Sequence, residues 1–241
     1  MISITGLSKT YSKGGKPAVD DLDLFVNDGE IFGFIGPNGA GKSTTIKMLT
    51  GIIPPDSGSV VINGEDMIED PVEAKKLVGY VPDSPDLYER LTGIEYLDFL
   101  GDIYEVPTEV RQDRIKKYAD MFEMSENLND QIKSYSHGMR QKIVVMGALL
   151  HDPEVWILDE PMVGLDPRAA HLLKEEMRNH CKKGNTVFFS THVLEVAEKL
   201  CDRIGIISHG KLVATGTIEE LREKASQDGS LESIFLSVTG E

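Results

Sequence analysis

Three stretches of the chain are apolar at nearly every position, without the alternation of a half-buried strand. They are Ile31-Phe32-Gly33-Phe34-Ile35, Val155-Trp156-Ile157-Leu158 and Thr186-Val187-Phe188-Phe189. Such runs predict strands buried on both faces of a parallel sheet. Helical patterns stand between them. Asp166-Pro167 sets a capping residue before a proline at the first helical position, and Leu173, Met177 and Cys181 follow at four-residue spacing. Asp70-Pro71 with Glu73 repeats that start on a shorter scale. Thr92 with Glu95 forms a capping-box pattern ahead of an apolar stretch to Tyr104. From about Asp86 to Leu150 three helical patterns succeed one another with almost no strand, which predicts a helical subdomain inserted into a sheet domain.

The ends of the chain read differently. Residues 2–5 and 22–26 predict antiparallel strands, and Arg203–Ser208 with Lys211–Thr215 a hairpin across His209-Gly210. The patch Ile234-Phe235-Leu236 predicts a small helix. Strand and helix alternate over most of the length, so the expected class is α/β with a mostly parallel sheet. No repeat or Gly/Ser/Pro-rich linker divides the chain. A single domain over 1–241 is therefore expected, with an extension from about 217 to 241.

Charge and cysteine content narrow the function classes. Forty acidic against 25 basic residues give a net charge of −15, which argues against a nucleic-acid partner and against unaided binding to an anionic membrane. Cys181 and Cys201 are too few for a disulfide framework, so a reducing compartment is expected, and both read as inert packing residues. The densest apolar run, Ile143–Leu150, is far too short to span a bilayer. Met1–Thr5 carries no basic patch leading into an apolar stretch, so a cytoplasmic location is expected.

Candidate chemistry gathers where apolar strands end. Gly36-Pro37-Asn38-Gly39-Ala40-Gly41-Lys42-Ser43 follows the strand at 31–35 and precedes a helix-like Thr44–Thr50. This is the G-x-x-x-x-G-K-[ST] phosphate loop in its required context. Glycines let backbone N–H groups wrap an oxyanion, and the following helix turns its positive end to the same place. Lys42 adds a point charge on the β- and γ-phosphates, and Ser43 a hydroxyl ligand for Mg²⁺. The strand at 155–158 runs into Asp159-Glu160-Pro161. There Asp159 can hold Mg²⁺ through a water, and Glu160 can act as general base on an attacking water. A third apolar strand ends in Ser190-Thr191-His192, which places His192 near the same chemistry.

These pieces, in this order and over essentially the whole chain, resemble the nucleotide-binding subunit of ATP-binding cassette (ABC) transporters. The deciding segment is Tyr135-Ser136-His137-Gly138-Met139-Arg140-Gln141, which resembles the family signature and lies about ninety residues beyond the phosphate loop. The resemblance implies a RecA-like P-loop fold with an N-terminal antiparallel β subdomain. It implies that Tyr11 stacks on adenine, and that Gly36 through Thr44 hold the phosphates of ATP with Mg²⁺. Ser136 and Gly138 would bind the γ-phosphate held by another subunit. Asp159 and Glu160 would be the metal-side and catalytic carboxylates, Gly164-Leu165-Asp166 the loop linking two sites across a dimer, and His192 the switch histidine. The implied mechanism is a head-to-tail dimer with two sandwiched ATPs. The dimer is a homodimer, or a pair with a second ATPase subunit, driving a separate multi-span membrane subunit at the inner face of the cell membrane.

Two departures stand out. The signature carries His137 where the family usually has glycine, a variant resembling the branch that pairs with separate, often exporting, membrane subunits. After Val78-Gly79-Tyr80-Val81-Pro82, where the family has a metal-contacting glutamine, this chain has Asp83. A carboxylate can bind Mg²⁺ more strongly than an amide; equally, Asp83 could cap the turn Asp83-Ser84-Pro85. A non-transport ABC ATPase acting on ribosomes or chromosomes is the alternative, but such chains carry two cassettes or a long coiled-coil insertion. A P-loop kinase or GTPase does not account for Ser136-His137-Gly138, and no guanine-reading N-K-x-D motif is present.

Overall fold

The computed structural model describes residues 1–224 and 231–239. A four-stranded antiparallel sheet is built from β1 (Ile2–Lys9), β2 (Val19–Val26), β4 (Ser57–Ile62) and β5 (Glu65–Asp66), in the order β2-β1-β4-β5. The second sheet contains β3 (Ile31–Ile35), β6 (Val78–Val81), β7 (Val155–Asp159), β8 (Thr186–Thr191), β9 (Arg203–Ser208) and β10 (Lys211–Gly216). Its order is β10-β9-β3-β8-β7-β6, parallel except for the β9–β10 hairpin.

Both faces of this mixed sheet are covered, as the uninterrupted apolar runs predict. Every residue of β3, β7 and β8 is buried. Alternate side chains enter opposite cores. Phe32, Phe34, Val155, Ile157 and Phe188 join the antiparallel sheet and α1 (Lys42–Leu49). Trp156, Leu158, Val187 and Phe189 join the helices on the other face. Those are α3 (Gly93–Ile103), α4 (Thr108–Met121), α5 (His137–Leu149) and α6 (Pro167–Lys182). The first three make up the helical segment expected between 86 and 150.

Helix starts follow their sequence signals in most cases. Thr92 and Glu95 exchange both bonds of a capping box, and Asp166 Oδ1 accepts from the Ala169 N–H at 2.8 Å. Asp70 differs: α2 (Pro71–Lys76) begins where expected, but the Asp70 side chain makes no capping bond. Its carboxylate is not needed there, because proline already removes one orphan N–H. The helix after the phosphate loop starts at Lys42, two residues before the expected Thr44.

The C-terminal part adds α7 (Leu194–Leu200), α8 (Ile218–Lys224) and α9 (Leu231–Thr239). The expected helix at Ile234–Leu236 lies within α9, which packs Leu231 and Ile234 against Leu221 and Ile206. Residues 225–230 and 240–241 of the expected extension fall outside the described residues. Among the described residues no helix is long and apolar enough to cross a membrane. Burial pushes the Cys181 thiol up to about 12 and raises that of Cys201, which keeps both unreactive.

Buried contacts fasten α4 to α6 and α6 to the sheet. Glu176 of α6 is buried and takes Lys117 Nζ at 3.0 Å and the Tyr118 hydroxyl at 3.4 Å, both from α4. One turn on, His180 lies against the edge of Trp156 with ring centroids 5.7 Å apart. Burial, with the Lys183 charge adding, pushes its pKa down to about 4. The folded chain therefore keeps His180 neutral where the unfolded chain protonates it, from its ordinary 6.5 downward. Stability is fully present above that value and declines as pH falls toward about 4. Chemical denaturation between pH 6.5 and 5 should show this loss, and His180→Leu should flatten the slope. An unchanged slope in the variant would exclude His180 as its source.

Candidate active site

The parallel register brings three strand ends together. Ile35, the last residue of β3, pairs with Thr191 of β8, and Asp159, the last of β7, pairs with Ser190. The segments following Ile35 and Asp159 open on one cavity of about 240 Å³. Asn38, Gly39, Gly41, Lys42, Ser43 and Thr44 line it from the phosphate loop, with Ala18, Asp83 and Glu160 from elsewhere.

The loop is curled around its own lysine. Lys42 Nζ donates to the carbonyls of Gly36 at 2.6 Å and Pro37 at 3.2 Å, and the Ala40 N–H closes the turn onto the Pro37 carbonyl. Gly41 sits at φ 114°, where a side chain would be strained and would meet the Ala18 carbonyl. The loop is also tied to the β9–β10 turn, whose Gly210 N–H donates to the Ala40 carbonyl at 2.8 Å. The Gly210 carbonyl accepts from Asp20, just after the start of β2. Burial lowers the Lys42 pKa, while the Glu160 and Asp159 charges oppose that shift. The three groups thus share one electrostatic field.

Glu160 is the most unusual residue of the site. Its φ of 48° lies in the left-handed region, uncommon outside glycine. Its Oε1 lies 2.9 Å from His192 Nδ1, and its N–H donates to Ser190 Oγ at 3.0 Å. Ser190 in turn donates to Asp159 Oδ1 at 2.5 Å. Asp159 is buried, whereas His192 is exposed. Burial raises the Tyr80 phenol well above its ordinary value, and the charges of Asp159 and Asp83 add to this. Among the described residues Asp83 makes no turn-capping hydrogen bond.

Comparison with known proteins gives this geometry a family. The sequence profile of the ABC transporter family matches residues 19–163. The ABC-type transporter ATP-binding protein EcsA of Bacillus subtilis is 36% identical over all of this chain and 97% of its own length. The chain belongs to the ABC transporter family. A solved ATP-binding subunit of an ABC transporter superposes with a TM-score of 0.94 at 33% identity, covering 99% of each chain. The MJ0796 cassette, solved as a dimer in a post-hydrolysis state with ADP and Pi, gives 0.81 at 25% identity, over 90% of this chain and 99% of that one. This chain is an ABC transporter ATP-binding subunit and an ATPase.

Not every expected residue reaches the cavity of this subunit. Tyr11 is exposed beyond β1, and its hydroxyl lies 3.3 Å from Thr44 Oγ1 at the rim. Ser136, Gly138, Asp159, Asp166 and His192 do not line the cavity, nor do Gly36, Pro37 and Ala40 of the loop. Ser136 caps α5, accepting from the Met139 N–H. Asp166 caps α6 and pairs with Lys142 of α5 at 3.2 Å, so the start of α5 and the loop after Glu160 are joined. His137 joins them a second time: a Cβ on Gly164 (φ 80°) would run into its imidazole. Sequence reading missed Ala18, which carries no side-chain signal, and Ser190, which reads as a small residue filling a strand.

The His137–Gly164 contact makes a double-variant prediction. Gly164→Ala should lower the melting temperature through both the clash and the positive φ. His137→Gly in the same chain should return the part due to the clash. Strictly additive losses would show that the imidazole is not what the new Cβ meets.

Proposed function

We propose that this single cassette is the ATP-hydrolysing motor of an exporter, acting as a head-to-tail dimer on a separate multi-span membrane subunit. The observation that carries this reading is the division of the site. One chain gathers the phosphate loop, Asp83 and Glu160 around a cavity, with His192 bonded to Glu160 and Asp159 linked to it through Ser190, while the Ser136-His137-Gly138 helix start neither lines the cavity nor bonds to these residues. A helix N-terminus of that kind suits a phosphate, and a second copy turned head to tail supplies it. The dimeric MJ0796 cassette supports the arrangement. The His137 form of the signature supports the exporting branch, and attachment to a membrane subunit would hold the chain at the inner face of the cell membrane.

In hydrolysis, a water oxygen bonds to the γ-phosphorus as the bond to the β–γ bridging oxygen breaks, releasing ADP and phosphate. Glu160 takes the proton of that water as general base. His192 Nδ1 holds the Glu160 carboxylate in place from one side. Lys42 and the backbone N–H groups of 39–44 receive the charge that develops on the phosphates. Tyr11 gives adenine a stacking face.

Mg²⁺ fits the residues present. No group of three or more His, Cys, Asp or Glu side chains gathers for a metal among the described residues. This cation, though, keeps several waters and asks of a protein only one or two oxygen ligands beside substrate phosphates. Ser43, Asp159 and Asp83 supply them. When bound, the ion neutralises charge on the phosphate oxygens.

Glu160→Gln should lower turnover by about 100-fold or more while leaving ATP binding intact. With ATP it should elute as a dimer, and from mild-detergent extracts of native membranes it should carry a multi-span protein in stoichiometric amount. Recovery of soluble partners alone would overturn the membrane-subunit reading. Asp83→Gln should change the Mg²⁺ concentration needed for half-maximal hydrolysis; an unchanged dependence would remove Asp83 from the metal side.

A further inference from the structure

The buried hydroxyl of Ser190 is shared by the two carboxylates at the end of β7. It donates to Asp159 Oδ1 at 2.5 Å and accepts the Glu160 N–H at 3.0 Å. Ser190 itself has no exposed surface. We propose that Ser190 is a positioning residue for hydrolysis, which fixes the Asp159 carboxylate and the left-handed backbone of Glu160 with one hydroxyl.

The bonding capacities match. A serine hydroxyl has one proton to give and lone pairs to receive. The proton goes to Asp159, occupying one carboxylate oxygen and fixing the group, which would leave Oδ2 to serve a bound cation. The lone pair takes an N–H that the sheet does not use. At Glu160 the chain leaves the β7 ladder at φ 48°, a conformation that costs about 1–3 kcal/mol and persists only where the surroundings hold it. The register supplies the hold. Ser190 is the β8 partner of Asp159, so its side chain meets the chain at the residue where the turn begins. Alanine would leave the Asp159 oxygen and the Glu160 N–H without this partner, in a place with little access for water. Both carboxylates would then lose orientation together, although neither has been altered.

The inference rests on the roles given above to Asp159 and Glu160, and Glu160→Gln run in parallel separates the two. If Glu160→Gln hydrolyses ATP like the parent, those roles fail. If only Ser190→Ala does so, this inference alone fails.

The experiment compares Ser190→Ala, Ser190→Thr and Thr186→Val. Thr186 is a buried hydroxyl of the same strand, bonded to the Asn27 carbonyl and remote from the cavity. Ser190→Ala should lower kcat by about 10- to 100-fold with KM for ATP within about twofold, the usual scale for an outer-shell partner of a metal site. A fluorescent ADP analogue should bind it as it binds the parent without Mg²⁺, and gain several-fold less affinity when Mg²⁺ is added. Ser190→Thr, which keeps the hydroxyl, should recover most of both. Thr186→Val should lower the melting temperature and change neither. The proposal is overturned if Ser190→Ala keeps the parent's kcat and Mg²⁺ gain, or if Thr186→Val reproduces its losses.

Discussion

Parallel pairing of β3, β8 and β7, with both faces of these strands under apolar cover, governs everything else in the molecule. Parallel strands need crossovers, and the crossovers here are the helices that seal one face. The other face is sealed by α1 and the antiparallel sheet. With the strands locked in register, their carboxyl ends fall at one level. The phosphate loop, the Asp159-Glu160 turn and the Ser190–His192 segment have no freedom to be elsewhere. The site is thus a consequence of how a sheet buries two faces, and the charged groups are carried on elements whose stability comes from Phe32, Phe34, Trp156, Phe188 and Phe189.

Polar residues then tune what the apolar ones have set. Lys42 is held by the loop that it serves. Glu160 stands in an unfavourable backbone conformation, gripped by Ser190 from behind and facing His192 in front. Lys142 and His137 tie the first turns of α5 to the loop that leaves Glu160. The start of α5 and the loop after Glu160 are therefore joined by two side-chain contacts. The buried Glu176 of α6 grips α4 in the same way, so these two helices of the covering layer are tied to each other by an ion pair.

Much of this was legible in the residues, for physical reasons that differ by element. The central strands announce themselves because two-sided burial forbids polar positions. The phosphate loop is legible because backbone approach to an anion demands glycine at fixed places. The capping box at Thr92 is legible because two side chains must serve two N–H groups. β4 was silent, since it opens on Ser57-Gly58-Ser59 and buries only its second half. α7 was silent for want of a capping side chain. Asp70 looked like a cap and is not one, because local propensity competes with where the chain must run. Ser190 was silent because its meaning lies in a neighbour 31 residues away. The signal available was a small hydroxyl at the end of an apolar run, opposite an acidic strand end.

The hydrogen bonds between Gly210 and the phosphate-loop residue Ala40, and between Asp20 and Gly210, set an order in time. The loop motif is complete once residue 43 has been made, yet the β9–β10 turn that hydrogen-bonds to it comes more than 160 residues later in synthesis. A nascent chain that has emerged only as far as α6 carries every glycine of the motif but not the neighbour that braces it. The brace on the phosphate loop is therefore among the later contacts that a growing chain can make.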